Sequence, residues 1–292
     1  MITALIQSMR PRQWSKNFFI FAGLLFTLDK YHPAADYAKT LAAFIIFCIL
    51  SGAGYIVNDI LDREQDRVHP SKCKRPIASG MLGPGAAWSF AALLVLAGTS
   101  ASFMLDPAFG CVAIFYLALT LAYTTVLKQV VLLDVITVAA GFVLRAVAGT
   151  TVIGAIISPW LLICTILIAL FISLAKRRDE LESLREKASD HRLCLAEYSV
   201  PFLDQLINIT ASSTIMAYAL YTFFSQTGEE HPYLMATLPF VIYGIFRYIL
   251  LVHKGKGAGS PELLIILDKP LLADIILWAA ACAVIVALPG KL

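Results

Sequence analysis

Long apolar runs separated by short polar stretches dominate the chain. The runs are continuous and rich in Leu, Ile and Ala, which is typical of membrane helices and not of the alternating strands of an outer-membrane barrel. Pro and Gly mark many of the stretches between them. The pattern predicts nine membrane spans, at about 17–29, 37–57, 84–104, 108–127, 133–153, 159–175, 203–224, 233–252 and 271–289.

Composition agrees with this pattern. Of the 292 residues, 59% are hydrophobic and only 15% are charged, and the mean hydropathy is +0.77. A helix needs about 20 apolar residues to cross a hydrocarbon core about 30 Å thick, so nine spans and their loops account for the whole chain. The sequence therefore excludes a soluble globule. It predicts an all-α fold, a polytopic bundle of nine transmembrane helices that forms a single domain over 1–292.

The distribution of basic residues predicts the orientation in the membrane. Of the 23 Lys and Arg residues, 18 fall on one side of the predicted topology, three on the other and two inside spans. The positive-inside rule places the N-terminus and the long loops in the cytoplasm and the C-terminus outside. No apolar segment with a cleavage site precedes the first span, so we expect no removable signal peptide in this plasma-membrane protein.

The net charge and the cysteine content restrict the possible classes of function further. A net charge of +3 without a basic patch gives no reason to expect a nucleic-acid partner. The six cysteines form no CxxC pair and mostly lie inside apolar runs, so we interpret them as core residues. The cytoplasmic loops hold nearly every acid and base, and we expect the active site in a cavity that opens on that side.

Three aspartates close the second predicted span. Asp59, Asp62 and Asp66 fall within about 60° of one another on a helical wheel and would share one stripe of a helix. Carboxylates with few other ligands suit Mg²⁺, which substrate phosphate oxygens then complete. The stripe predicts a site for Mg²⁺ and a diphosphate. The alternative is a solvated helix end whose acids pair with Arg63 and Arg67.

Two further polar segments flank the predicted mouth. Lys74 and Arg75 follow the aspartates after a short loop and are suited to hold phosphate oxygens. Lys176 and Glu180 share one face at the end of the sixth span, with Arg177 beside them. This second face could grip a phosphate or a metal. Its alternative is a basic helix flank that carries ordinary ion pairs.

Two arginines lie inside apolar spans, where charge is costly. Arg145 and Arg247 should therefore face the bundle interior and have an anionic partner. The alternative to a functional role is pairing with internal acids. A third polar patch, between spans four and five, combines Tyr123, Lys128 and Asp134. An anion transporter is the alternative from another class, but transporters usually bind their substrate near the midplane, whereas the charges here collect at one mouth.

These residues resemble a known family. The run from Asn58 to Asp66, NDxxDxxxD after the second span, is similar to the first acidic motif of the UbiA-type intramembrane prenyltransferase superfamily. The second DxxxD of most members is absent, and the chain shows KRxxE at 176–180 instead. Together with RPxQWxKN at 10–17, the string from Tyr55 to Gly80, Arg247-Tyr248 and the stretch from Gly259 to Asp268, this departure resembles the decaprenyl-phosphate phosphoribosyltransferase branch.

The resemblance implies a fold, a reaction and a set of site residues. The fold is an all-helical bundle with a cytoplasmic-facing cavity, and the reaction transfers phosphoribosyl from phosphoribosyl pyrophosphate to a polyprenyl phosphate. The alternative within the superfamily attaches a polyprenyl diphosphate to an aromatic ring. A homo-oligomer is compatible with both. The implied Mg²⁺ ligands are Asp59, Asp62 and Asp66, with Glu180 as a second catalytic acid. The implied substrate ligands are Lys16, Asn17, Tyr55, Asn58, Arg67, Lys74, Arg75, Tyr123, Lys128, Asp134, Arg145, Lys176, Arg177 and Arg247.

Overall fold

The structure is a computed structural model that describes residues 1–28, 30, 32–68, 72–156, 158–184, 193–254 and 261–288. Several predicted loop positions, among them Arg185, Lys187 and Gly259, lie outside these residues. The described residues form helices and connecting turns, and none of them is in a β-strand. Eight long helices make up most of the bundle: α1 (Ala34–Leu61), α2 (Pro84–Leu105), α3 (Pro107–Thr125), α4 (Leu133–Val152), α5 (Pro159–Leu184), α6 (Val200–Phe224), α7 (Leu238–His253) and α8 (Lys269–Ala287).

Short helices join or precede the long ones. A helix at the N-terminus and a 3₁₀ helix after it lead into the bundle, and the others lie in the connections between the long helices. These short elements are Ile2–Ser8, Pro11–Phe21, Ala22–Leu25, Arg63–Val68, Lys72–Lys74, Leu127–Gln129, Leu193–Glu197, Gln226–Glu230, Pro232–Thr237 and Pro261–Leu267.

The all-helical membrane bundle is confirmed, but the count of nine spans is not. Among the described residues, seven helices are long and apolar enough to cross a membrane. Helix α6 is 25 residues long but is not one of the seven. Its sequence includes Asp204, Gln205 and Asn208 and several Ser and Thr residues, which lower its hydropathy.

The first predicted span, 17–29, is corrected by the structure. This segment is not one continuous helix, because the 3₁₀ helix Pro11–Phe21 gives way to the four-residue helix Ala22–Leu25. The backbone docks closely on α4, where a Cβ at Gly149 would lie 1.8 Å from the carbonyl oxygen of Ile20. A hydropathy profile shows that a segment is apolar, but it does not show whether the segment forms an α-helix or a 3₁₀ helix.

The long helices close a ring around a central space. Each of α1 to α7 packs against the next helix along the chain. The ring closes at the N-terminal segment, because α8 contacts Ala22–Leu25 and the short helix Pro261–Leu267 contacts Pro11–Phe21. The C-terminal end of α1, the start of α4, the end of α5 and the start of α8 all lie at one end of the bundle. The polar side chains of the predicted site therefore meet at that end.

Candidate active site

The aspartate cluster, which we define as Asp59, Asp62 and Asp66, lies at the end of α1. The helix ends at Leu61, Asp62 is its C-cap residue, and Asp66 belongs to the following short helix Arg63–Val68. The predicted single helical stripe is therefore interrupted by a break at Asp62. Asp59 and Asp66 are nevertheless both almost fully buried, with 2% and 3% of their surface exposed.

Each aspartate carboxylate contacts a cationic side chain. One guanidinium nitrogen of Arg75 lies 3.1 Å from Asp59 Oδ1 and 2.5 Å from Asp66 Oδ2, so it bridges the two carboxylates. Arg10 also donates a hydrogen bond to Asp59. Lys128 Nζ lies 2.5 Å from Asp62 Oδ1. The predicted residues Arg75 and Lys128 thus join the cluster, although they are 9 and 66 residues from their partners Asp66 and Asp62.

The donor set of this cluster fits a Mg²⁺ ion that is shared with a substrate. Within the described residues, no three His, Cys, Asp or Glu side chains are grouped closely enough to hold a metal ion by themselves. Mg²⁺ does not require such a cage, because it usually takes one or two carboxylates and completes its shell with water and phosphate oxygens. Asp59 and Asp66 already hold one cationic nitrogen between two carboxylate oxygens.

A second cluster lies across the mouth, at the end of α5. Arg177 Nε donates to Asp134 at 2.5 Å, one terminal nitrogen donates to Glu180 at 2.5 Å, and the other donates to Tyr123 at 3.2 Å. Arg177 is only 3% exposed. We call these four residues, together with Tyr198, the Arg177 network. The spacing of Lys176 and Glu180 gives the expected contact, with a separation of 3.9 Å between their charged atoms.

Tyr198 completes the Arg177 network and was not predicted from the sequence. Its hydroxyl donates to Asp134 at 2.8 Å and accepts from the backbone N–H of Leu132 at 2.8 Å. Burial, together with the hydrogen bond to the Asp134 carboxylate, raises the pKa of the Tyr198 phenol above its usual value. The phenol therefore stays protonated and keeps Asp134 in place. Asp134 itself is fully buried and is held by side chains of the protein.

A cavity of about 870 Å³ extends from this end of the bundle into its interior. Tyr123 and Arg177 of the Arg177 network line it, whereas the three residues of the aspartate cluster do not. The cavity meets the aspartate cluster at Arg10, which lines the cavity and contacts Asp59. Its polar part is lined by many of the predicted ligands, namely Lys16, Tyr55, Asn58, Tyr123, Lys176 and Arg177, and also by Arg10. The remainder of its wall is mostly apolar and includes Phe19, Leu25, Ile168, Phe240 and Trp278. The cavity therefore offers an anion-binding mouth and an apolar extension.

Arg145 faces the bundle interior, as predicted, but no carboxylate within the described residues is its ion-pair partner. It donates to Asn17 Oδ1, to the carbonyl of Gly141 and to the hydroxyl of Tyr116, at 2.7, 2.8 and 2.8 Å. Its guanidinium also lies 4.8 Å from the centroid of the Tyr116 ring, a cation–π distance. Among the described residues the alternative of an internal acid partner therefore does not hold for Arg145, which keeps its net charge at the cavity wall, where it stays a predicted substrate ligand.

Arg247 does have an anionic partner, because Asp268 accepts two hydrogen bonds from it at 3.0 and 2.8 Å. Arg247 does not line the cavity. Arg67 is also held elsewhere, by Glu64 and by the carbonyl of Ala78, and Lys74 is exposed. Asn17 is buried behind the wall, where it bonds to Arg145. The structure therefore places these predicted substrate ligands outside the cavity.

Sequence reasoning missed two residues besides Tyr198. Arg10 contacts Asp59 and lines the cavity, yet it was named only as part of the RPxQWxKN motif. Asp274 is an acid inside the last apolar run and also lines the cavity. A charge within an apolar run is the signal that identified Arg145, and it would have identified Asp274 as well.

Comparison with known proteins gives the same class as the fold and the site. The model of the UbiA prenyltransferase family matches residues 17–266, and the chain belongs to that family. Two curated relatives are named decaprenyl-phosphate phosphoribosyltransferase. The protein from Mycolicibacterium smegmatis is 31% identical over 95% of this chain and 91% of its own length. The protein from Corynebacterium glutamicum is 33% identical over 94% of this chain and 84% of its own length.

Solved structures share the fold. A UbiA homolog from Archaeoglobus fulgidus bound to GPP and Mg²⁺ superposes with a TM-score of 0.75 at 15% identity. The alignment covers 98% of this chain and 100% of that one. The architecture of the bundle is thus shared over nearly the whole chain.

Proposed function

We propose that this protein transfers the 5-phosphoribosyl group of phosphoribosyl pyrophosphate to the phosphate of a polyprenyl phosphate and releases pyrophosphate. Relatives that align over most of their length are named for this activity. The observation that carries the proposal is the cavity, which is cationic beside the aspartate cluster and apolar beyond it. A phosphorylated sugar suits the cationic part, and an isoprenoid chain suits the apolar part.

The aspartate cluster would hold the leaving group. Asp59, Asp62 and Asp66 are the residues that would bind Mg²⁺, which when bound neutralises the charge that develops on the departing pyrophosphate. Arg10 and Arg75 already contact these carboxylates, so both guanidinium groups are placed to take pyrophosphate oxygens that enter beside them. The same side chains that balance the aspartates would then bind the donor.

For the transfer step, the protein mainly has to position the two substrates and to balance their negative charges. The bond between the anomeric carbon and the pyrophosphate oxygen breaks, and its electron pair leaves with pyrophosphate. An oxygen of the lipid phosphate forms the new bond to that carbon. This oxygen is already anionic, so no general base is required. The cavity wall supplies cations, Lys16 and Lys176 among them, that would hold the two phosphorylated substrates against each other.

The Arg177 network would fix the second wall of the site. Glu180 is held by Arg177 at 2.5 Å, and Asn58 lines the cavity one residue before Asp59. We assign Glu180 to the ribose hydroxyls or to a metal, and Asn58 to orientation of the donor. We further propose that the mouth faces the cytoplasm at the plasma membrane, on the basis of the 18 basic residues on that side of the predicted topology.

The proposal is tested by following the label from a donor. Purified full-length protein is incubated with Mg²⁺, polyprenyl phosphate and phosphoribosyl pyrophosphate that is radiolabelled in the ribose. We expect the label to enter the organic phase with wild-type protein and not with Asp66→Ala protein of the same fold. Label that stays aqueous would contradict the proposal. Transfer of a polyprenyl diphosphate to an aromatic acceptor in a parallel assay would instead identify the other superfamily reaction.

A further inference from the structure

Helix α6 carries two carboxamide side chains on the outside of the bundle. The eight long helices contain three Asn and Gln residues, of which Asn58 lines the cavity, whereas Gln205 and Asn208 are exposed. Ser212 is exposed as well. Gln205, Asn208 and Ser212 fall within about 60° of one another around the helix axis, and we call them the α6 polar stripe. Among the described residues, none forms a hydrogen bond with these three side chains.

The α6 polar stripe lies at membrane depth. Helix α6 has 25 residues and is therefore about 37 Å long, which exceeds the hydrocarbon core of about 30 Å. Ser212 is the middle residue of the helix, and Asn208 is one turn nearer to its start. A carboxamide that faces hydrocarbon without a partner costs free energy. A serine can bond to a carbonyl of its own helix, but the carboxamide of Asn208 has more donors and acceptors than its helix can satisfy.

Other outward faces of the bundle match the apolar interior of a membrane. The exposed residues of α8 within 273–287 are all apolar, as are those of α3 within 114–121. The opposite face of α6 is also apolar, because Leu203, Ile207 and Ala211 are buried in the core of the bundle. The α6 polar stripe therefore makes no contribution to packing within one copy, and lipid chains offer it no hydrogen bonds.

A groove beside the stripe gives space for the side chains of a neighbouring helix. It has a volume of about 540 Å³ and lies between α5 and α6. Trp160 and Ile163 form one side, and the small residues Ser213 and Ala217 belong to the other. Small residues allow the backbones of two membrane helices to approach closely, which brings side-chain hydrogen bonds within reach. Ser212 belongs to both the stripe and the groove, so the two form one continuous surface.

The chemistry of the stripe restricts its partner. It carries no charge that would bind an anionic headgroup, and headgroups lie at the membrane surface, far from Ser212. A carboxamide both donates and accepts hydrogen bonds, so the same residue on a second copy complements it. Copies in one membrane share one orientation, and a closed assembly of them therefore has its axis along the membrane normal. Rotation about that axis keeps the depth of every residue, so Asn208 of two copies lies at the same level.

We propose that the α6 polar stripe is the contact between copies of this protein in the membrane, in which Asn208 of one copy hydrogen-bonds to Asn208 of a second copy. Exposed carboxamides at membrane depth, their lack of partners among the described residues and the adjoining groove carry the proposal. No residue of the stripe lines the cavity, so each copy keeps its own site. The contact needs no substrate and is therefore independent of the proposed function.

Energy transfer between donor- and acceptor-labelled copies of the purified full-length protein in lipid vesicles measures the association. We expect wild-type protein to associate and Asn208→Leu to weaken the association by about 10-fold or more, because interhelical hydrogen bonds are lost. Asn208→Gln keeps the carboxamide and should associate within about 3-fold of wild type. Ser100→Leu replaces an exposed serine of α2 and is the matched control, which should associate like wild type. Monomeric wild-type protein, or equal association of wild type and Asn208→Leu, would overturn the proposal.

Cross-linking tests the geometry of the contact without the leucine variant. Asn208→Cys protein in vesicles should form a disulfide-linked dimer when a mild oxidant is added, since the two Cα atoms would lie within about 7 Å of each other. Wild-type protein controls for the six native cysteines, and Ser100→Cys controls for random collision. Association of the wild type without cross-linking at position 208 would place the contact on another face and overturn the proposal. Absence of phosphoribosyl transfer would change neither result, so the two proposals can fail separately.

Discussion

The two charged clusters at the mouth differ in how their charges are compensated. The aspartate cluster is balanced by Arg10, Arg75 and Lys128, which come from three separate segments of the chain, and these side chains are 10–25% exposed. The Arg177 network is closed on itself, because each nitrogen of the Arg177 guanidinium donates to a partner and Asp134 is fully buried.

This difference indicates that the aspartate cluster takes part in the reaction, whereas the buried part of the Arg177 network stabilises the fold. Cations that contact the aspartates from accessible positions can be exchanged for a metal ion and a pyrophosphate. A buried and saturated network cannot exchange partners cheaply, because removing one member leaves a charge without compensation. We therefore expect substitutions in the aspartate cluster to reduce turnover while the fold persists, and substitutions of the buried network members Asp134, Arg177 and Tyr198 to reduce stability.

The largest effect is expected at Asp59. Asp59→Asn keeps the shape of the side chain but removes the charge, and we expect phosphoribosyl transfer to fall about 1,000-fold, since a group that stabilises developing charge has an effect of that size. The unfolding temperature should stay near that of the wild type. Glu64→Gln, in the adjacent helix, is the matched control and should retain full activity, because Glu64 is exposed and contacts only Arg67 among the described residues. Activity of Asp59→Asn within 3-fold of wild type would contradict the assignment.

Asp134→Ala tests the other half of the comparison, the structural role of the Arg177 network. The substitution leaves Arg177 Nε and the Tyr198 hydroxyl without their acceptor in a buried site. We expect a loss of about 3 kcal/mol in stability, at the low end for a broken buried pair because Glu180 still contacts Arg177. Thermal unfolding of the purified protein in detergent measures it. Asp134→Ala protein that unfolds at the wild-type temperature would show that the network is not structural.

Tyr198→Phe should have a smaller effect in the same direction. It removes one hydrogen bond to a charged acceptor, a contribution of about 1.5–3 kcal/mol, and also the acceptor of the Leu132 N–H, while it keeps the ring. Its unfolding temperature should lie between those of Asp134→Ala and the wild type. Tyr233→Phe removes the hydroxyl of a tyrosine that is 80% exposed, and it should be neutral. Equal unfolding temperatures for the two phenylalanine variants would refute the role of Tyr198.

The smallest effect is expected at Arg247. Its ion pair with Asp268 is partly exposed and lies off the cavity, so Arg247→Gln should leave the unfolding temperature near that of the wild type and transfer activity within 3-fold. Steady-state transfer rates with saturating substrates measure it. A loss above 10-fold would instead support the substrate contact that the sequence analysis predicts.

Much of this site could be predicted because charge at the end of an apolar helix is conspicuous. Asp59, Asp66 and Lys176 were found in that way, and their neighbours along the helix followed from its periodicity. Asp274 gives the same signal but was overlooked. Tyr198 gives none, since an aromatic residue in a loop has no pattern that reveals an Asp134 partner 64 residues away.

The parts of the fold that were not predicted depend on geometry that hydropathy does not encode. The 17–29 segment is apolar, but close docking of its backbone at Gly149 accompanies a 3₁₀ helix instead of a spanning α-helix. The break at Asp62 likewise turns an expected stripe into two helices. Arg145 was expected to have an anionic partner, and among the described residues neutral acceptors and an aromatic ring surround it.

Binding of phosphoribosyl pyrophosphate to purified protein, measured by calorimetry with and without Mg²⁺, tests the central claim most directly. We predict that wild-type protein binds the donor tightly only in the presence of Mg²⁺, and that the double variant Asp59→Asn, Asp66→Asn binds weakly whether or not Mg²⁺ is added. Equal affinity of the two proteins, or affinity that does not depend on Mg²⁺, would contradict the claim that these aspartates seat the metal and the leaving pyrophosphate.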